Sequence, residues 1–156
     1  MKRTLGPGIV LLGLLAVLGL PSPAAAHLGG EHFQVVSRPM SEHYEDNGRK
    51  GESRGDSFSF TEKLMQDGKR VGSDTGICDV MRATKRSFHM QCVVTLIFKG
   101  KGQLTVQGAL IFRRGVRTAP ELAITGGTGD YAGASGVMFL NDKRGEPTRF
   151  RIHLEG

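Results

Sequence analysis

The stretch "ITGGTGDYAGASG", residues 124–136, decides how the rest of the chain is interpreted. Within it, Gly127, Gly129 and Ala132 satisfy the spacing G-x-G-x-x-[GA] of a dinucleotide-binding loop. Such a loop must follow a strand and open a helix inside a β-α-β unit. Gly133 and Gly136 interrupt a helix at once, and only 27 residues follow Gly129. We therefore exclude a Rossmann domain and expect these glycines to supply positive φ angles and close backbone approach between two strands.

Apolar and polar residues alternate along most of the chain, which is typical of half-buried strands. No segment carries a helical stripe. Eight antiparallel strands can close into a barrel, which removes exposed sheet edges and leaves room for side chains or one small ligand. We therefore predict an all-β fold, a single eight-stranded antiparallel β-barrel. The expected strands are 32–37, 57–60, 76–81, 87–98, 103–112, 121–125, 135–140 and 148–154.

The polar, glycine-bearing segments predict connections. Residues 38–56 have no periodicity and are expected to be a long loop or mobile segment, and residues 66–74 a turn region. This divides the chain into an N-terminal strand with a flexible segment, 27–55, and a β-barrel domain, 56–156.

The first 26 residues have the features of a secretory signal peptide. Lys2 and Arg3 precede an apolar run from Gly8 to Leu20, and Ala24 and Ala26 fit a cleavage site. The alternative is a permanent membrane anchor, but the run is shorter than the roughly 18 residues that a span needs. We expect a secreted or extracytoplasmic protein with no stable membrane insertion after cleavage.

The remaining charge gives little support to a nucleic-acid partner. Without Lys2 and Arg3 the net charge falls from +6 to +4. No basic run is flanked by aromatic residues, and the chain has no Trp. We expect no nucleic-acid partner.

The two cysteines, Cys78 and Cys92, are placed to form a disulfide. Their midpoint is residue 85, inside "ATKR" (83–86), which is typical of a hairpin turn. Directly opposed residues in a non-hydrogen-bonded pair have Cα atoms about 4.5 Å apart, within disulfide reach. The alternative is two reduced, buried cysteines, but export favours a bridge.

The glycine stretch resembles the "GGTGxYxGAxG" element of the allene oxide cyclase and dirigent barrel families, in particular their bacterial barrel-like relatives. "GDSFSFTEKLMQDGKRVGSDTGICDV" (55–80) is similar to the early hairpin of the family, and "CVVTLIFKGKGQLTVQGAL" (92–110) to the next. The resemblance covers Gly55 to Leu154. It implies an eight-stranded barrel, often oligomeric, with a hydrophobic ligand cavity.

The resemblance also implies a class of activity. Relatives steer cyclisation: plant allene oxide cyclases close an unsaturated fatty-acid epoxide, dirigent proteins orient phenolic radicals, and some bacterial barrels accelerate cycloadditions. None of these needs a metal or redox cofactor for ring closure. The matched motifs are scaffold motifs, so no catalytic residue is transferred with them.

The candidate site residues follow from strand parity. Glu62 shares the apolar face of Phe58, Phe60 and Leu64, so it is a carboxylate on an apolar lumen face. There it would have a raised pKa or need a donor, and it could polarise a carbonyl or an epoxide. The alternative places Glu62 at the rim, in water.

Tyr131 is the second catalytic candidate, as a hydrogen-bond donor at the barrel mouth, and its alternative is a ring packed under the glycine turn. The ligand-binding candidates are Phe58, Phe60, Met90, Leu110 and Phe112. If the lumen face is the other one, the lining is polar, with Asp79, His89, Gln91 and Thr95.

We expect neither a cofactor nor a metal, because His27, His32, His43 and His153 have no spacing typical of a metal site. The predicted function is an exported barrel that binds an apolar small molecule and steers its cyclisation or coupling, as a cofactor-free isomerase or cyclase. The alternative is a non-catalytic secreted binding protein or a structural barrel with a filled lumen. A homo-oligomer is expected.

Overall fold

The computed structural model describes residues 30–113, 115–116, 120–141 and 146–155. The signal segment 1–26 lies outside the described residues. Among the residues described, no helix is long and apolar enough to cross a membrane. The strands are β1 (His32–Glu45), β2 (Ser57–Gln66), β3 (Lys69–Ala83), β4 (Ser87–Phe98), β5 (Gly102–Arg113), β6 (Glu121–Gly129), β7 (Ser135–Asn141) and β8 (Arg149–Glu155).

The eight strands form one closed antiparallel barrel. Each strand pairs with the next along the chain, and β8 returns to pair with β1 from His32↔His153 to Val36↔Arg149. The predicted fold is confirmed. Closure pairs the first and last strands, so neither is left as an exposed edge.

The connections alternate between the two ends of the barrel because the strands run up and down. The turns 67–68, 99–101 and 130–134 lie at one end, which we call the Tyr131 end. The loop 46–56 and the turn 84–86 lie at the other, which we call the Phe58 end.

The core lies inside the barrel, and it is built from the face that parity assigns to the lumen. The alternation of buried and exposed residues is clearest in β4, β5 and β8. Apolar side chains with at most 2% exposure come from all eight strands and include Val35, Leu64, Val80, Leu96, Leu104, Val106, Leu122, Met138, Ile152 and Leu154.

The expected loop 38–56 is wrong for its first part, because β1 continues to Glu45 and pairs with β2 as far as Glu45↔Ser57. The register shifts between Pro39 and Ser41. A bulge of this kind interrupts the alternation, and residues 38–45 are exposed, so no apolar pattern marks them. The barrel therefore begins at His32 rather than at Asp56.

The expected turn region 66–74 is also too long. The turn is the two-residue Asp67–Gly68, both with positive φ (50° and 76°), and β3 begins at Lys69. Positive φ at both positions is typical of a tight hairpin. The residues after it, including Asp74, belong to a strand.

The glycines of the opening stretch do what was expected of them. Gly136 has φ of 142°, and a Cβ there would lie 2.0 Å from the carbonyl oxygen of His153. A Cβ on Gly127 would lie 2.4 Å from the carbonyl oxygen of Tyr131 and 2.6 Å from that of Gln103. These glycines permit close backbone approach at the Tyr131 end.

The disulfide prediction is confirmed. Cys78 and Cys92 are register partners in the β3–β4 hairpin, with Cα atoms 4.1 Å apart, and they are bonded. In the chain-entropy model a bridge over a loop of about 15 residues stabilises by about 3 kcal/mol.

Candidate functional site

A cavity of about 160 Å³ lies in the lumen. An apolar cavity of about 150 Å³ is enough for benzene, so this one accepts about one ring or a short acyl segment. Its lining is apolar except for one carboxyl and one hydroxyl group. The lining residues are Phe58, Phe60, Glu62, Cys78, Cys92, Val94, Leu110, Leu122, Met138, Leu140, Thr148 and Phe150.

At two positions that face the lumen, a glycine without a side chain leaves space for a neighbouring side chain to pack against the barrel wall. A Cβ on Gly76 would lie 2.6 Å from the ring of Phe60. A Cβ on Gly108 would lie 3.1 Å from a methyl carbon of Leu122. The space beside Gly108 is therefore taken up by Leu122.

Glu62 is half-buried and lines the lumen cavity among aromatic and aliphatic side chains. Strand β2 points it inward with Phe58, Phe60 and Leu64, as parity predicts. The hydroxyl of Ser37, a residue of β1 that is 1% exposed, donates to Oε2 of Glu62.

A second carboxyl group, Asp74, lies directly across from Glu62 in the β2–β3 ladder. Its side chain is fully buried, and neither of its carboxylate oxygens has a hydrogen-bond donor within the described residues. Sequence analysis missed it because residues 66–74 were interpreted as a turn. Parity gives the signal: counting back from Cys78 through Gly76 reaches Asp74 on the same face.

The two carboxyl groups perturb each other. Burial raises the pKa of Asp74 to about 7, and the charge of Glu62 adds to that rise. Burial also raises the pKa of Glu62, against the hydrogen bond from Ser37. Two ionised carboxylates offer each other only acceptors, whereas one proton on the pair provides the missing donor. The pair therefore holds one proton up to near-neutral pH.

The structure does not bring Tyr131 to this site. Tyr131 is 3% exposed at the opposite end, with its ring centroid 5.3 Å from that of Phe98 and 6.5 Å from that of Phe33. It lines a different cavity. Its ring is packed, as in the alternative interpretation, and its role as a hydrogen-bond donor stays a prediction.

The other candidates divide between the lumen and its surroundings. Phe58, Phe60 and Leu110 line the lumen cavity. Met90 packs against the core outside that lining, and Phe112 is 38% exposed in a depression at the Phe58 end. Strands β4 and β5 extend past the cavity at that end, so parity alone does not place these two side chains in it.

The alternative polar face lies outside the barrel. Asp79 and Gln91 are exposed, and His89 and Thr95 are half-buried. Within the described ranges, no group of three His, Cys, Asp or Glu side chains is arranged to hold a metal ion.

Comparison with known proteins places this geometry among related barrels. The family described as "Allene oxide cyclase barrel like domain" matches residues 39–152. No curated protein matches the chain.

Solved structures share the fold. A pyocyanin demethylase has a TM-score of 0.71 and 24% identity, covering 80% of this chain and 99% of that one. A pterocarpan synthase dirigent protein has a TM-score of 0.59 and 20% identity, and the match covers 82% of this chain and 94% of that one. A Diels–Alderase from Streptomyces koyangensis has a TM-score of 0.59 and 15% identity, and the match covers 83% of this chain and 69% of that one. At these identities the structures establish the fold alone.

Proposed function

The chain belongs to the allene oxide cyclase barrel-like family, and on that premise we propose that its lumen binds an apolar small molecule and steers the ring closure or coupling of that molecule without a cofactor. The observation that carries the proposal is the Glu62–Asp74 pair, of which Glu62 faces an apolar cavity. A buried carboxyl pair is costly for the fold, which favours a chemical task for it.

The pair and the cavity contribute differently. The apolar walls restrict a flexible ligand to few conformations, which lowers the entropic part of the barrier to ring closure. Glu62 lines the cavity and Asp74 does not, so Glu62 touches the ligand while Asp74 positions the shared proton. When Asp74 passes the shared proton to Glu62, the Glu62 carboxyl group donates a hydrogen bond to a carbonyl or epoxide oxygen of the ligand. A ring-closing isomerisation moves no net electrons, so it needs no redox partner.

The related barrels support this reaction class without defining it. One is called a pterocarpan synthase dirigent protein and another a Diels–Alderase, which joins two unsaturated groups into a ring. A third is called a pyocyanin demethylase. The same barrel thus carries different chemistry, and the carboxyl pair is the reason to prefer acid-assisted ring closure here.

Export is part of the proposal. The Cys78–Cys92 disulfide is typical of an oxidising compartment, and residues 1–26 have the pattern of a signal peptide. We expect the protein to act outside the cytoplasm.

The proposal is tested by comparing acetophenone, which has a carbonyl group, with ethylbenzene, which lacks one. Both are titrated at pH 5 and pH 9 while the NMR methyl signals of Val94, Leu110 and Leu122 are followed. We expect both to bind in the lumen. The affinity ratio of acetophenone to ethylbenzene should be about tenfold higher at pH 5, when the pair holds a proton. Glu62→Gln should fold normally and remove this pH dependence.

Chemistry is tested separately from binding. A short-chain unsaturated epoxide, small enough for the lumen cavity, is incubated with the protein, and the cyclic product is analysed by chiral chromatography. An excess of one enantiomer, lost in Glu62→Gln, is the expected result. Binding with a racemic product would favour the non-catalytic alternative, and absence of lumen binding by either probe would contradict the proposal as a whole.

A further inference from the structure

A second cavity, of about 260 Å³, lies at the Tyr131 end of the barrel. It shares no lining residue with the lumen cavity. The proposed function does not use this cavity.

The apolar part of this cavity is aromatic except for Val71. Phe33, Phe98 and Tyr131 all line it, and their rings pack on one another. Aromatic walls of this kind favour stacking or edge-to-face contact with a further ring. The shape therefore suits a flat aromatic ligand.

The polar part of the cavity is mainly cationic. Arg70, Lys99 and Lys101 line it, against one acidic residue, Glu31. In the part of the chain that the structure describes, none of the three cations has a carboxylate within 4 Å. The guanidinium of Arg70 is oriented by a hydrogen bond from Nε to the carbonyl oxygen of Gly72. These cations are available to an anionic ligand.

The Tyr131 hydroxyl adds a neutral donor. It makes no hydrogen bond to any other described residue. Burial, with the charges of Glu31 and Asp130, raises the pKa of Tyr131 to about 12. The phenol therefore stays protonated over the physiological range and can donate to an anion.

We propose that this cavity is a second binding site, for a small aromatic carboxylate or a similar planar anion. The rings of Phe33, Phe98 and Tyr131 would contact the aromatic body, and Lys99, Lys101 and Arg70 would bind the charged group. Its volume exceeds that of the lumen cavity, which allows two fused rings where the lumen accepts about one.

The test uses 2-naphthoate and its neutral isostere 2-naphthamide. Isothermal calorimetry gives the affinities, and NMR methyl signals of Val71 and Leu122 report on the two cavities. We expect 2-naphthoate to shift Val71 and to bind at least about tenfold more tightly than the amide. Affinity should fall with added salt, because part of the attraction is between charges.

Two matched double variants separate this site from general attraction to a basic protein. Lys99→Gln/Lys101→Gln should weaken 2-naphthoate binding at least about tenfold. Lys85→Gln/Arg86→Gln makes the same charge change on exposed residues at the Phe58 end and should leave binding unchanged. Glu62→Gln should also have no effect.

Three results would overturn the inference: equal binding of the amide and the carboxylate, equal loss of affinity in both double variants, or shifts at Leu122 in place of Val71. The last would assign the anion to the lumen.

Discussion

Asp74 and Asp56 are both buried aspartates, and their surroundings shift their pKa values in opposite directions. Asp56 accepts hydrogen bonds from the Tyr44 hydroxyl, from the backbone N–H groups of Asn47 and Ser53 and from the Ser53 hydroxyl. These bonds, that of Tyr44 foremost, lower its pKa. Asp74 has no such donor, and burial raises its pKa to about 7. Asp56 is therefore suited to organising the loop 46–56, and Asp74 to holding a proton.

We predict that Asp74 makes the fold less stable as pH rises. Its pKa rises from 3.8 unfolded to about 7 folded, so the folded state binds more protons in between. Stability from this group is fully present below about pH 4 and is lost as pH rises through about 7. Asp74→Asn should remove on the order of 3 kcal/mol of this pH dependence. The measurement is urea unfolding at pH 5 and pH 8.

Asp79→Asn is the matched control, since Asp79 is exposed on the same strand. It should keep the wild-type pH dependence. If Asp74→Asn keeps it as well, the proton is held elsewhere.

The glycine stretch acts at the turn between β6 and β7. Residues 130–134 bring the Tyr131 ring against Phe98 at the end of β4. That arrangement needs the backbone of Gly127 within contact of two carbonyl oxygens, from Tyr131 and Gln103. A side chain at Gly127 would separate β6 from its turn.

We therefore predict that two alanine substitutions in one stretch differ in cost. Gly127→Ala places a Cβ 2.4 Å from a backbone oxygen and should destabilise by about 3 kcal/mol or more. A Cβ on Gly133 meets nothing within 4 Å, but its φ is 78°, so Gly133→Ala should cost only about 1 kcal/mol. Thermal and urea unfolding measure both. Equal costs would mean that the stretch needs flexibility rather than space.

The outer wall of the whole molecule is not uniformly polar. Ile77 and Val93 are register partners on the outside of β3 and β4, and they are 45% and 48% exposed. Ile97 and Ile111 are exposed on the same side. Apolar surface of this kind is typical of association sites.

We predict that the protein forms a homo-oligomer through this wall. Val93→Lys should lower the mass measured by sedimentation or light scattering, because a charge would be buried in the contact. Gln34→Lys, an exposed position on β1, should leave the mass unchanged. A monomeric wild-type protein would contradict the prediction.

The amino-acid sequence was enough to predict the strand count and the disulfide, and it favoured the apolar face as the lumen without excluding the polar one. Each depends on a local period: alternation assigns Phe58, Phe60 and Leu64 to one face, and the midpoint of Cys78 and Cys92 gives their register. The glycine stretch could also be interpreted from sequence, because two glycines in quick succession exclude a helix.

Only the tertiary structure decided which distant groups meet. A bulge after Pro39 hides the alternation in the second half of β1, so neither the continuation of this strand to Glu45 nor the contact of Ser37 with Glu62 could be predicted. Asp74 belongs to the site because β3 begins at Lys69, which places Asp74 in a strand beside Glu62 rather than in a turn. Tyr131 and Glu62, paired as candidates, lie in separate cavities. Parity specifies the face of the strand on which a side chain lies. The position of that side chain along the barrel axis depends on register shifts and strand lengths, which are set by how the strands pair.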